Sequence, residues 1–186
     1  TNSFWIKGTD QAGQVVHVQA MHSFHSGIET LANHFERNAR LFMIQDCGID
    51  LARSEFHDSP STASIWGSIC YHGEIWLHKK LRSKALTMLL PRLAIALAYQ
   101  KWDPDYMVGF SHPKHSYKGI AIQYGYMHCQ MGAINWFKPM ENEYEMDWLV
   151  WLTNEELEHL IKYPAREERA YFVPNRTVNT PGNRPA

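Results

Sequence analysis

The longest helical pattern in the chain lies between two short apolar runs of the kind that form strands. Residues 83–101 read SKALTMLLPRLAIALAYQK, and their leucines recur along one broad face. The run GEIWL precedes this pattern and the run VGFS follows it. A strand, a helix and a second strand in this order form a crossover, which joins parallel neighbours in one sheet. We therefore expect the strands that end at Leu77 and Ser111 to be parallel.

The remaining elements alternate between strand-like and helix-like patterns. The first 21 residues read as two strands around a turn at residues 10–13, and helical spacing follows between Gly27 and Met43. Residues 45–63 are polar and rich in turn signals, and two strand-like runs come next, with a break near residues 71–73. Thr153 and Glu156 have the spacing of a capping box that opens a last helix. This mixed order predicts an α/β or α+β fold.

Length and composition favour one ordinary globular domain. The chain has 186 residues and a formal net charge of −1, which argues against a broad nucleic-acid surface. The apolar stretches are too short to span a membrane, and three cysteines without metal-type spacing favour a reduced compartment. We expect a cytoplasmic protein with a single domain over residues 1–173. Residues 174–186 are rich in Pro, Asn and Thr, which predicts a flexible tail.

A basic segment lies where the first strand of the crossover meets the long helix. The stretch LHKKLRSKALTMLL, residues 77–90, carries one His, three Lys and one Arg. The first N–H groups of a helix lack internal partners and attract anions, so a phosphate or pyrophosphate fits this place. The alternative is a solvated loop whose charges only contact water. The segment matches neither a Walker A loop nor a dinucleotide fingerprint.

Residues 73–130 resemble the core of the GNAT N-acyltransferase superfamily. Arg82-Ser83-Lys84-Ala85-Leu86-Thr87 lies at the position of the family's loop of the form [Q/R]-x-x-G-x-[G/A], and Tyr124-Gly125-Tyr126 lies at its closing [L/Y]-G-[F/Y] tripeptide. The chain is a divergent member, because Ala85 and Thr87 replace the usual small or glycine positions. The resemblance implies a mixed, mostly antiparallel central sheet with flanking helices. It also implies a parallel strand pair that is splayed at its C-terminal ends.

The same resemblance implies the donor and its contacts. The donor is acetyl-CoA or another acyl-CoA, and acyl carrier protein is left open as a second donor. The pyrophosphate is held by the loop, and the pantetheine arm pairs with the strand that ends at Leu77. The implied coenzyme contacts are Leu77, Arg82, Ser83, Lys84, Ala85, Leu86 and Thr87.

The groups that would perform the chemistry are less well marked in the sequence. Acyl transfer to an amine needs a base for the amine and often an acid for the departing thiolate. The family's tyrosine acid falls at Ala121 and is therefore missing. Our candidates are His112 first, then Glu74 and then Tyr117, with Ser111 as a hydrogen-bond donor to the thiolate. Glu74 has the alternative of a solvent-facing edge residue, and Tyr117 has that of a surface residue. Tyr124 also lies close to the missing tyrosine, but core packing is the favoured interpretation for it.

We therefore expect an acyl-CoA-dependent N-acyltransferase in which the amine attacks the thioester directly. The acceptor would be a small-molecule or peptide amine, with no metal, nucleic acid or membrane involved, and a homodimer is left open. The main alternative is a non-catalytic module of the same shape that binds acyl-CoA or a partner. A metal-dependent hydrolase built on His112, His115 and the other histidines is a more distant alternative, because no tight motif gathers them.

Overall fold

We describe a computed structural model of the chain, in which residues 2–42 and 48–163 are described. The seven strands are β1 (Ser3–Thr9), β2 (Val15–His25), β3 (Asp50–Phe56), β4 (Ser68–Leu77), β5 (Tyr106–Ser111), β6 (His128–Lys138) and β7 (Glu143–Thr153). The six helices are α1 (Leu31–Phe42), α2 (Pro60–Ser64), α3 (Lys84–Trp102), α4 (Pro113–Ser116), α5 (Ile120–Tyr124) and α6 (Asn154–Lys162). A turn of 3₁₀ helix, Lys79–Leu81, lies between β4 and α3.

The seven strands form one sheet in the order β1-β2-β4-β5-β7-β6-β3. Every described pair of neighbours is antiparallel except β4 and β5, which α3 connects as a parallel pair. This is the predicted crossover, and the sheet is the mixed, mostly antiparallel sheet that the GNAT resemblance implies. The expected fold class is confirmed.

The apolar core lies on both faces of this sheet. One cluster packs beneath α3 and α6 and includes Met21, Ile95, Met107 and Leu157. The other packs beneath α1 and includes Phe35 together with residues of β4, β5 and β7. Successive side chains of the central strands lie alternately in the two clusters. Both faces of these strands are therefore apolar, which explains their continuous apolar runs in the sequence.

Two local predictions were wrong. Residues 48–63 of the segment that read as polar loop contain strand β3 and helix α2, and residues 45–47 lie outside the described residues. Helix α2 begins with a reciprocal capping box between Ser59 and Thr62, with Pro60 at its first position. The predicted break near residues 71–73 is instead a bulge inside the continuous strand β4. At this bulge Glu74 adopts a positive φ of 58°.

Helix α3 runs without interruption through Pro91, and its last turn is followed by Asp103 in a left-handed conformation. Helix α6 begins with the predicted capping box between Thr153 and Glu156. The predicted tail, residues 174–186, lies outside the described residues.

Candidate functional site

The parallel strands β4 and β5 separate towards their C-terminal ends. Their pairing covers residues 69–71 of β4 and 106–108 of β5, although β4 continues to Leu77 and β5 to Ser111. All of these residues belong to the described part of the chain, and no pairing joins the two strands beyond Tyr71 and Val108. The gap opens at the C-terminal edge of the parallel pair, where open α/β sheets bind ligands.

Two adjoining cavities occupy this gap and its extension towards α3. The helix-start cavity, about 180 Å³, lies between the end of β4 and the first turns of α3. The strand-gap cavity, about 170 Å³, lies between β4 and β5. The two cavities have four lining residues in common, so they form one cleft. The shared residues are Ile75, His115, Ile120 and Tyr124.

The start of α3 is arranged as the sequence predicted. The Ser83 hydroxyl caps the helix by accepting a hydrogen bond from the Leu86 N–H. By helix geometry, the N–H groups of Lys84 and Ala85 have no acceptor inside the helix, and they carry the partial positive charge of its N-terminus. The Arg82 Nε donates to the Leu77 carbonyl oxygen at 2.9 Å, which joins the end of β4 to the start of α3.

The predicted coenzyme contacts divide into three groups in the structure. Four of the predicted contacts line the helix-start cavity, and they are Leu77, Arg82, Leu86 and Thr87. Ser83 and Ala85 do not line it, and they belong to the helix start through their backbone. The side chain of Lys84 lies outside what the structure describes.

The edge of β4 offers backbone groups to the cleft. The His78 N–H donates to the Val16 carbonyl on β2. In an antiparallel pair successive residues direct their backbone groups to alternate sides, so the groups of Leu77 and Ile75 face away from β2 and towards the gap. A ligand beside Leu77 would therefore meet its N–H group, while the Leu77 carbonyl oxygen already accepts from the Arg82 Nε.

Three of the four predicted catalytic residues line the strand-gap cavity. Glu74, Ser111 and His112 lie on its wall. Burial raises the pKa of the Glu74 carboxyl, which moves this group towards the range needed for a base near neutral pH. The Ser111 Oγ accepts a hydrogen bond from the Ser116 hydroxyl at 2.9 Å and keeps its own proton for donation.

Both ring nitrogens of His112 are already engaged. Its Nδ1 accepts from the Lys114 N–H at 3.0 Å, so in the neutral ring the proton is on Nε2. The Nε2 lies 2.6 Å from the Glu145 carboxylate, to which it donates. Neutral His112 thus has no free lone pair for an incoming amine, which weakens the sequence-based preference for this residue as the base.

Tyr117, the fourth candidate, lies outside the cleft. Its side chain is 76% exposed and contacts Trp148 edge to face. Neither cavity is lined by Tyr117.

Tyr124 is a site residue that the sequence analysis passed over. It lines both cavities, at the point where they meet. Burial raises the pKa of its hydroxyl, and the nearby Arg82 acts in the opposite direction. A protonated phenol that faces the gap suits the role of an acid. The signal was in the Tyr124-Gly125-Tyr126 tripeptide, but its first tyrosine occupies a position usually filled by leucine, for which core packing is the favoured interpretation.

A buried hydrogen-bond network forms the floor of the strand-gap cavity. The His72 Nε2 lies 3.0 Å from the Gln19 Oε1, and its Nδ1 lies 3.1 Å from the Tyr126 hydroxyl. Because the Gln19 amide nitrogen donates to the Leu90 carbonyl, its oxygen faces His72 and accepts. The Tyr126 hydroxyl then donates to Nδ1. Burial lowers the pKa of His72 to about 3, so the ring is neutral.

Desolvation raises the thiol pKa of the two described cysteines, Cys70 and Cys129. Cys70 is buried, and burial raises the pKa of its thiol to about 12, which disfavours the reactive thiolate. Within residues 2–42 and 48–163 no three His, Cys, Asp or Glu side chains are grouped as metal ligands. No helix among the described residues has the length and apolarity needed to span a membrane.

Comparison with known proteins gives similarity at the level of structure only. No family model and no curated protein matches the sequence. Among solved structures, spermidine N-acetyltransferase from Vibrio cholerae in complex with CoA and spermine is 6% identical over 85% of this chain and 69% of its own, with a TM-score of 0.48. Aminoglycoside acetyltransferase AAC(6')-Ib in complex with coenzyme A and kanamycin is 9% identical over 85% and 70%, with a TM-score of 0.46.

A third similar structure, a protein from Acinetobacter baylyi assigned as an acetyltransferase, is 15% identical with a TM-score of 0.46. The match covers 82% of this chain but only 63% of the other. Overlaps this weak do not support an argument about this chain. The assignment of the fold rests instead on the strand order, the single parallel pair and the gap within that pair.

Proposed function

We propose that this chain, which has the GNAT-type fold, is an N-acyltransferase that moves an acyl group from acyl-CoA to an amine. The observation that carries the proposal is the continuous cleft. It leads from a basic, capped helix start to a gap between two parallel strands, and it is lined by polar groups suited to acyl transfer. An anion-binding end and a reactive end are what a long thioester donor requires.

The coenzyme would bind along this cleft with its pyrophosphate at the start of α3. The free N–H groups of the first helical turn and the Arg82 guanidinium would hold the phosphate charge. The pantetheine arm would then run beside Leu77 and Ile75, whose backbone groups face the gap. The thioester would lie between β4 and β5, close to Glu74 and Tyr124.

The reaction would be a direct displacement. The amine nitrogen attacks the thioester carbonyl carbon, Glu74 takes a proton from nitrogen, and the carbon–sulfur bond breaks as the tetrahedral intermediate collapses. Tyr124 donates its proton to the departing thiolate, and the Ser111 hydroxyl is a second donor near the same point. The products are an amide and a free thiol, without a covalent enzyme intermediate.

Titration with acetyl-CoA, followed by a turnover assay on a panel of amines, tests the proposal. We expect saturable binding and release of free thiol only when an amine and the coenzyme are both present. Absence of any acyl-CoA binding contradicts the proposal. Binding without turnover on any small-molecule or peptide amine would instead favour the non-catalytic module, which the replaced glycine positions of the loop support.

A further inference from the structure

The helix-start cavity contains an acceptor that the anion site does not use. His17 on β2 lines this cavity and is only 3% exposed. Its Nδ1 lies 2.8 Å from the Trp76 carbonyl oxygen, and because a carbonyl only accepts, Nδ1 carries the ring proton. The Nε2 is therefore an acceptor. It is buried and has no hydrogen-bond partner among the described residues.

A buried acceptor without a donor is costly, and proteins rarely keep one without a reason. The His17 ring is held in place by the bond of its Nδ1 to the Trp76 carbonyl oxygen. The ring therefore cannot easily turn to find another donor. A ligand in the helix-start cavity is a natural source of the missing hydrogen bond.

A second acceptor without its usual donor belongs to another residue that lines the same cavity. Pro91 lies inside α3 and has no N–H, so the Thr87 carbonyl lacks the donor four residues ahead that a regular helix would supply. Both Thr87 and Pro91 line the cavity. A proline inside a helix is destabilising relative to alanine, which makes its presence at a cavity wall notable.

We propose that His17 Nε2 and the Thr87 carbonyl form an acceptor subsite for the N–H and O–H groups of a pantetheine arm. This inference rests on the proposed function and extends it from the anion and the thioester to the arm between them. The strand edge at Leu77 has an N–H donor for a carbonyl oxygen of the arm, and the subsite has acceptors for the N–H and O–H groups of the arm. An amide of the arm, which has one donor and one acceptor, can donate to the subsite and accept from the strand edge at the same time.

The pantetheine arm is common to two donors, acyl-CoA and acyl carrier protein. The subsite recognises the chemistry that they share, so it does not depend on the nucleotide. The start of α3 differs from the subsite in this respect. It would hold the pyrophosphate of the coenzyme, so its contribution to affinity depends on the nucleotide part of the ligand.

Two variants remove the acceptors in different ways. In His17→Asn the side-chain amide can keep the bond to the Trp76 carbonyl but has no atom at the Nε2 position, whereas His17→Gln can place its amide oxygen there and is the matched control. Pro91→Ala restores an N–H to the Thr87 carbonyl inside the helix. It should raise thermal stability while it lowers ligand affinity, which a variant that merely damages the fold cannot do.

We expect His17→Asn and Pro91→Ala to weaken acetyl-CoA binding about five- to tenfold in a titration, the loss that follows from one hydrogen bond. Binding of 3′,5′-ADP, which lacks the arm, should stay within twofold, and His17→Gln should recover most of the affinity for acetyl-CoA. Acetylated holo acyl carrier protein is titrated in parallel. If it binds and acetyl-CoA does not, the carrier protein is the donor and the same variants are compared on it.

Acetyl-CoA affinity within twofold of wild type in both variants would overturn the subsite, as would an equal loss of 3′,5′-ADP binding. The proposed function fails by a different result, which is the absence of acetyl-CoA binding to the wild-type protein; if the carrier protein still binds, the subsite is tested on that donor.

Discussion

The two ends of the cleft are built in different ways. The helix-start cavity takes most of its lining from one continuous stretch, residues 75–91, with a few side chains from β2 and from α4 and α5. The strand-gap cavity draws on β4, β5, β7 and the segment from Ser111 to Tyr126. The first end depends on local structure, a strand followed by a capped helix, whereas the second depends on how distant segments pack. The anion-binding end therefore tolerates substitutions elsewhere in the chain better than the reactive end.

The largest effect is expected at the reactive end. Glu74→Gln removes the base but keeps the size of the side chain and its positive φ, so turnover should fall roughly 100-fold or more with little change in acetyl-CoA affinity. In the wild-type protein turnover should rise with pH through the raised pKa of Glu74, and the variant should lose that rise. The measurement is a pH–rate profile on one amine acceptor.

His112→Gln is the comparison for this prediction. Because both nitrogens of His112 are engaged, its replacement should cost much less than that of Glu74. A larger loss in His112→Gln than in Glu74→Gln would restore the order of candidates that the sequence suggested.

The next effect concerns stability, and it also belongs to the reactive end. His72 is buried and neutral with a pKa of about 3, against an ordinary value of 6.5 when the chain unfolds. The unfolded chain then binds a proton between these values that the folded chain does not, so stability falls as pH falls from about 6.5 towards 3. Between pH 7 and pH 5 the free energy of unfolding should drop by about 2 kcal/mol from this group.

Urea unfolding at the two pH values measures this drop. His72→Gln should reduce the difference by about that amount, whatever its effect at pH 7, whereas His25→Gln, which changes an exposed histidine outside the cleft, should leave it as in the wild type. An undiminished difference in His72→Gln would show that other groups cause the acid sensitivity.

The smallest of these effects is expected at the anion-binding end. Arg82→Glu replaces the guanidinium that lines the helix-start cavity and should weaken acetyl-CoA binding about tenfold, with the loss shrinking as salt is added. Lys79→Glu makes the same change of charge in the adjoining 3₁₀ turn, outside the lining of both cavities, and serves as the control. Equal losses in the two variants would mean that general charge attraction, and no specific contact, governs this end.

Much of the fold and part of the site could be predicted from the sequence, because these features depend on contiguous residues, as the anion-binding end of the cleft does. The crossover unit, the capping box at Thr153 and the basic start of α3 are written in contiguous residues, through periodicity and helix-start signals. Strand β3 was missed because its residues are mostly polar or charged. The sequence around the bulge at Glu74 was interpreted as a break between two strands, because no sequence signal indicates that a glutamate adopts a positive φ.

What the sequence by itself determined is therefore the local chemistry: a strand, a basic joint and a long helix whose first N–H groups are free for an anion. Only the tertiary structure decided which groups meet in the gap. It brought Tyr124 to the junction of the two cavities, engaged both nitrogens of His112 and left Tyr117 outside. It also joined Gln19, His72 and Tyr126 across three segments. The physical reason is that helix starts are set by neighbours in the chain, whereas hydrogen bonds across a sheet depend on strand order and register.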